Sequence, residues 1–207
     1  MPVGPPVNSS RLRYRWAILL YDRLYRVLHR LDTPASEVGP ALRIEVRRSR
    51  RALSLPDGTR VRRGDRIGIL HLNNDRIAAV RGDGLPSVSL GLDLRRQFFD
   101  SLHALAALAT SGGPLADVRA FAATTIFHQG LARIGFQPEP DGYLWPRFVA
   151  VYQRALITAL RPGGTLRLER STYRRARRLW ISRGALLARY GDDPPPGAVG
   201  SPAPPDA

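Results

Sequence analysis

Two amphipathic stretches frame the first half of the chain. Between Arg11 and Leu31, Trp16, Leu20, Leu24, Val27, Leu28 and Leu31 recur at helical spacing, while Arg11, Arg15, Arg23, Arg26 and Arg30 lie mostly off that stripe. The spacing predicts a helix, ended before Asp32-Thr33-Pro34 because proline disfavours helical backbone in the residue ahead of it. From about Gly91 to Thr110 the pattern returns in Leu94, Phe98, Leu102, Leu105, Leu108 and Ala109, and Ser111-Gly112-Gly113-Pro114 stops it. Between the two, the period shortens to two. Leu42, Ile44 and Val46 alternate with Arg43, Glu45 and Arg47, which predicts a strand with one wet face. Ala52 to Leu55 reads as a short second strand and Arg66 to Leu72 as a third, closed by Asn73-Asn74-Asp75. Pro56-Asp57-Gly58-Thr59 and Gly64-Asp65 are the turns, with proline presetting one dihedral and glycine supplying a positive one. The segment 42–72 is therefore expected to be an antiparallel meander.

Further along, 81–89 reads as a glycine-containing loop. Val118 to Thr125 reads as a buried strand, Phe127 to Ile134 as a short helix stopped by Gly135, and Phe136 as the opening of another short strand. Pro146 suits the first turn of a helix reaching Leu160. Thr165 to Leu168 and Leu179-Trp180-Ile181 are expected strands, and Ser182 is placed to cap a last helix, Arg183 to Tyr190. Residues 1–10 and 192–207 are rich in Pro, Gly, Ser and Ala without apolar periodicity and are expected to be disordered. There are no internal repeats. The expectation is one α+β domain, 11–191, with a largely antiparallel sheet flanked by helices.

Composition adds constraints. The chain has 207 residues, 43% hydrophobic and 24% charged, within the globular range. Cysteine is absent, which excludes disulfides, thiolate zinc sites and a cysteine nucleophile. All 32 basic residues are arginine, so lysine chemistry is excluded as well. A net charge of +15 favours polyanions: nucleic acid, anionic lipid head groups, acidic glycans or phosphate-bearing substrates. The start has no basic segment leading into an apolar run, so no secretory signal is expected. No stretch approaches the roughly 20 apolar residues of a membrane span. A cytoplasmic protein is expected, with peripheral contact at the inner face of the membrane as an option.

Several fragments resemble the YkoP-like domain family. They are Asp22-Arg23-Leu24 and Leu28-His29-Arg30-Leu31; Asp57-Gly58, Gly64-Asp65 and Leu70-His71-Leu72-Asn73-Asn74; Gly135-Phe136; and Trp180-Ile181-Ser182-Arg183, Leu186-Leu187 and Arg189-Tyr190-Gly191. Their order spans about residues 12–191. Domains of this kind are similar to those found alone or joined to bacterial polysaccharide deacetylases. The resemblance implies a link to cell-envelope glycan or lipid metabolism, with a polysaccharide-modifying enzyme as a partner. Deacetylase activity is not implied, since no His-x-x-x-His segment is present to hold that metal. The order of elements also resembles an acyl-CoA N-acyltransferase core. There the start of the long helix holds the cofactor pyrophosphate. The matching stretch, Ser89-Leu90-Gly91-Leu92-Asp93-Leu94-Arg95-Arg96, lacks the Arg/Gln-x-x-Gly-x-Gly/Ala pattern, and Asp93 would set a negative charge near phosphate. No cofactor is expected.

Among candidate residues, His71 stands at a strand end beside Asn73 and Asn74 and follows the acid Asp65. It could serve as a general base oriented by an amide or a carboxylate, or satisfy backbone groups at the strand end. Thr124, Thr125 and His128 fall at a strand-to-helix junction, where they could line a pocket or cap the helix. Trp180, Ser182 and Arg183 are candidate ligand contacts, with helix capping the alternative for Ser182. His29, His71, His103 and His128 are too widely spaced to predict a metal site. Arg167, Arg170, Arg174, Arg175, Arg177 and Arg178, near Tyr173 and Trp180, form the densest basic run. Such a run could grip phosphate or stack on bases, or remain a solvated loop. Three functions follow: an accessory domain binding an anionic glycan, lipid head group or partner enzyme; a divergent acyltransferase-like enzyme using His71; and a charge-driven nucleic-acid-binding protein.

Overall fold

A computed structural model of the chain describes residues 33–73, 87–139 and 176–191, together with Val27, Ala150, Val151 and Gln153. The helix expected over 11–31 apart from Val27, most of the loop expected over 81–89, the strand expected over 165–168 and both termini lie outside the described residues. So do Asn74, Tyr173, Arg167, Arg170, Arg174 and Arg175. Of the helix expected over 146–160, the described Ala150, Val151 and Gln153 are helical.

After a short 3-10 turn at Pro34–Ser36, the strands are β1 (Glu37–Val38), β2 (Leu42–Arg48), β3 (Leu53–Ser54), β4 (Arg60–Val61) and β5 (Arg66–Leu72). Helix α1 (Ser87–Leu108) leads to β6 (Ala120–Thr125), α2 (His128–Arg133), β7 (Gln137–Pro138), β8 (Arg177–Ser182) and α3 (Arg183–Tyr190). Six strands form one sheet in the order β1-β2-β5-β6-β8-β7, and β3 pairs with β4 in a separate two-stranded sheet. The fold is α+β, with a mostly antiparallel open sheet and helices against it. The β5–β6 pair is parallel, and α1 makes the crossover between them, because parallel neighbours cannot be joined by a tight turn.

Alternation along the strands divides the core in two. Leu42, Ile44, Leu70, Phe121, Leu179 and Ile181 face α1 and α3, where they pack on Leu102, Leu105, Ala106, Ala109, Leu186 and Tyr190. Ile67, Ile69, Ala120, Ala122 and Trp180 face the other way and are covered by Leu53, Leu55 and Val61 of the β3–β4 hairpin. Gly68 is glycine because the helix-side core leaves it no room: a Cβ there would lie 2.6 Å from Phe121 Cδ1 and 2.8 Å from Ile44 Cδ1. At the turn between β1 and β2, Gly39 takes φ 62° and presses on α1, where Ser101 Oγ accepts the Ala41 N–H at 2.8 Å. The last helix begins as its sequence requires: Ser182 Oγ accepts the Ala185 N–H at 3.0 Å.

Three details differ from the alternation-based picture. Within the 42–72 segment, β2 pairs with β5 directly, and the excursion between them forms its own hairpin folded over the sheet. Leu53, Leu55 and Val61 are apolar and too many to leave in water on an edge, and Ile67, Ile69 and Trp180 offer them a surface. The face expected to be wet is therefore part of the interior: Arg43 is buried, and Glu45 and Arg47 are half-buried. Finally, α1 starts at Ser87, four residues before the expected Gly91. Gly91 lies inside the helix, beyond the first turn whose N–H groups are open to a phosphate.

Candidate functional site

The register places a line of polar residues across the hairpin face, one position beyond its apolar patch. Arg43 on β2 stands opposite His71 on β5. Leu70 of β5 is paired with Ala123 of β6, so Thr124 is the next position along from His71. Thr124 stands opposite Arg178 on β8, and Glu139 follows β7 with its N–H bonded to the Arg178 carbonyl at 3.1 Å. The line lies where parallel β5 and β6 both end. The carboxyl ends of parallel strands are where open sheets with crossover helices most often bind ligands.

Both ends of this line are buried and held by ion pairs. Arg43 Nη2 lies 3.6 Å from Glu37 Oε1. The Glu139 side chain, only 3% exposed, pairs with Arg51 from the loop before β3 and accepts the Trp180 indole N–H at 3.2 Å. Both donors use Oε1. Glu139 Oε2 is buried with no hydrogen-bond partner among the described residues.

The centre is more open. His71 Nε2 lies 3.6 Å from Glu45 Oε2, with the two side chains 18% and 20% exposed. That separation is an electrostatic approach and is longer than a hydrogen bond. Arg178 Nε donates to Thr124 Oγ1 at 3.3 Å. Behind them the end of β6 is fixed by Gln153, whose amide donates to the Thr124 carbonyl at 2.7 Å and accepts the Ile126 N–H at 2.9 Å. The result is a half-buried imidazole, hydroxyl and guanidinium between rigid, buried ends. Such an arrangement can receive an anionic group and hydrogen-bond the polar atoms around it.

The structure distributes the sequence candidates differently. Asp65 accepts the Arg62 N–H at 2.7 Å at the start of β5, about 20 Å of strand from His71. The two are not brought together, and the carboxylate beside His71 is Glu45. Asn73 is buried, with its N–H bonded to the Ala41 carbonyl at 2.8 Å. Thr125 Oγ1 accepts the Phe127 N–H at 3.0 Å, and His128 opens α2. Trp180 is in the core and reaches the polar line through its indole N–H. Ser182 caps α3 and also bonds to Asp57, which anchors the hairpin tip. Burial acts to raise the Asp57 pKa but is outweighed by hydrogen bonds from Ser182 and Thr59, which hold it below the usual carboxylate value. Arg183 donates to the Ala109 carbonyl at 2.7 Å, satisfying a carbonyl just past the end of α1.

Sequence reasoning did not single out Arg43, Glu45, Arg51 or Glu139. For the first two a signal existed: residue 57, in the turn, is the midpoint of every pair in the β2–β5 ladder, so folding symmetrically about it sets Arg43 against His71. Among the described residues, no group of three or more His, Asp or Glu side chains could hold a metal ion, and no helix is long and apolar enough to cross a membrane.

No curated protein and no solved structure matches the chain. A family profile, the YkoP domain, matches residues 11–190. That span contains every strand and helix described above, and with it the line from Arg43 to Glu139. The chain belongs to the YkoP domain family.

Proposed function

We propose that this YkoP-domain chain is a binding module that supports cell-envelope polysaccharide or lipid-linked glycan metabolism, and that it takes an anionic glycan segment at His71, Thr124 and Arg178. The observation that carries the reading is the contrast along one line of the sheet. Its ends are buried, while its centre presents the half-buried side chains of His71, Thr124 and Arg178. A site with fixed ends loses little entropy on binding, and a guanidinium beside a hydroxyl suits a carboxylate or phosphate flanked by sugar hydroxyls. The envelope setting rests on the resemblance to domains joined to polysaccharide deacetylases. The net charge of +15 supports an anionic ligand.

Calorimetric titration tests this with two probes of equal length, an oligouronate and a neutral oligosaccharide. Binding of the oligouronate alone, weakened about tenfold or more in Arg178→Ala (about 1.4 kcal/mol), supports the reading. Equal affinity in wild type and variant refutes it, as does a preference for single-stranded DNA over the oligouronate.

One observation favours a second reading. The approach of His71 to Glu45 is the arrangement of a general base beside an orienting carboxylate. An acyltransferase-like activity would then show a pH–rate limb that His71→Ala abolishes. Ligand binding without turnover of acyl donors retires it.

A further inference from the structure

We infer that the end of the molecule where β5 and β6 terminate is a docking surface for an anionic lipid bilayer. Of the five large hydrophobic side chains exposed among the described residues, all but Val27 fall at that end: Leu72 (43% exposed), Leu92 (61%), Phe127 (38%) and Val151 (55%). Leu72 is the last residue of β5, and Phe127 follows β6 by two residues. Val151 lies two residues from Gln153, which is bonded to the end of β6. Leu92 belongs to the part of α1 that overshoots the sheet. Ser101 is level with the β1–β2 turn, where it accepts the Ala41 N–H, so Leu92 stands about 13 Å further along the helix axis.

Exposed leucine, phenylalanine and valine side chains scattered over a surface need no explanation, but their concentration at one end does. The charges there decide what covers them. Arg95, Arg96 and Arg177 are exposed, against a half-buried Asp93 and an exposed Glu37 that is paired with Arg43; the other acid of α1, Asp100, is exposed at the level of the sheet edge. Apolar side chains set among guanidinium groups suit an interface with hydrocarbon below and anionic head groups above. A second copy of a chain with net charge +15 would bring like charges together. This surface does not depend on the glycan site, because its apolar contacts are outside the His71–Arg178 centre.

The test is flotation of the full chain with phosphatidylcholine vesicles, with and without phosphatidylglycerol. Wild type should float only with the anionic vesicles and detach as salt rises. The triple variant Leu92→Ser/Phe127→Ser/Val151→Ser should lose about tenfold or more in partitioning. Arg95→Glu/Arg96→Glu, which leaves the apolar residues in place, should lose severalfold. Arg178→Ala should float like wild type, which separates this surface from the glycan site. Absence of flotation overturns the inference. So does a triple variant that folds and floats like wild type, or a dimer that the triple variant abolishes, which would assign the surface to a second copy.

Discussion

Glu139 connects β7, β8 and the loop before the hairpin, and its removal has a calculable consequence. In Glu139→Ala the Trp180 indole N–H, inside the core, loses the acceptor at 3.2 Å. A buried donor left without an acceptor costs about 1–3 kcal/mol. Breaking a fully buried ion pair costs about 3–5 kcal/mol, but that figure does not apply here, because Arg51 is 41% exposed and can turn into water. Removal of Oε2, buried and without a partner among the described residues, offsets part of the loss. The expected net destabilisation is about 1–2 kcal/mol. With a urea dependence of roughly 2 kcal/mol per molar, the midpoint should fall by about 0.5–1 M. Glu139→Gln keeps a carbonyl oxygen for both donors and should shift the midpoint by less than half as much. Urea unfolding followed by tryptophan fluorescence measures both. An alanine variant as stable as wild type would refute the reasoning, since Glu139 would then tie nothing together.

Other outcomes follow from single contacts. Gly68→Ala should destabilise by about 1–3 kcal/mol, because the new methyl meets Phe121 and Ile44 below 3 Å; thermal unfolding reads this, and an unchanged midpoint would show that the core yields there. Ser101→Ala should cost about 1–3 kcal/mol, since the Ala41 N–H loses its acceptor, and exchange of the Ala41 amide with deuterium should speed up by a corresponding factor. Acid should weaken the fold. The hydrogen bond from Arg66, followed by its charge, holds the Asp117 carboxyl below its ordinary value, and Asp57 is likewise lowered. A depressed carboxylate stabilises the folded chain above its unfolded pKa and loses that contribution as pH falls through the folded value. The midpoint should therefore drop below about pH 4, and Asp57→Asn should flatten the dependence.

Local chemistry made some elements readable from sequence. Arg183–Tyr190 was legible because Ser182 supplies the cap immediately before it, and β2 and β5 because their apolar residues alternate cleanly. The hairpin was not placed, since alternation shows which residues are buried and leaves open what buries them. Leu53, Leu55 and Val61 found their partners on the sheet face and not along its edge. The same gap limited the site. His71 was recognisable as a polar residue at a strand end, but Asp65, near in sequence, is far along the strand, while Glu45, 26 positions earlier, is beside it. Glu139 carried no local signal, because an acid between two prolines reads as a solvated loop until the register of β7 on β8 turns it inward.

The proposed ligand site rests on cross-strand register, from Arg43 through His71, Thr124 and Arg178 to Glu139. A crystal structure of the chain grown with an oligouronate tests it most directly. The expected result is a carboxylate against Arg178, with sugar hydroxyls reaching Thr124 and His71. Ligand density elsewhere on the surface, with this line unoccupied, would contradict it.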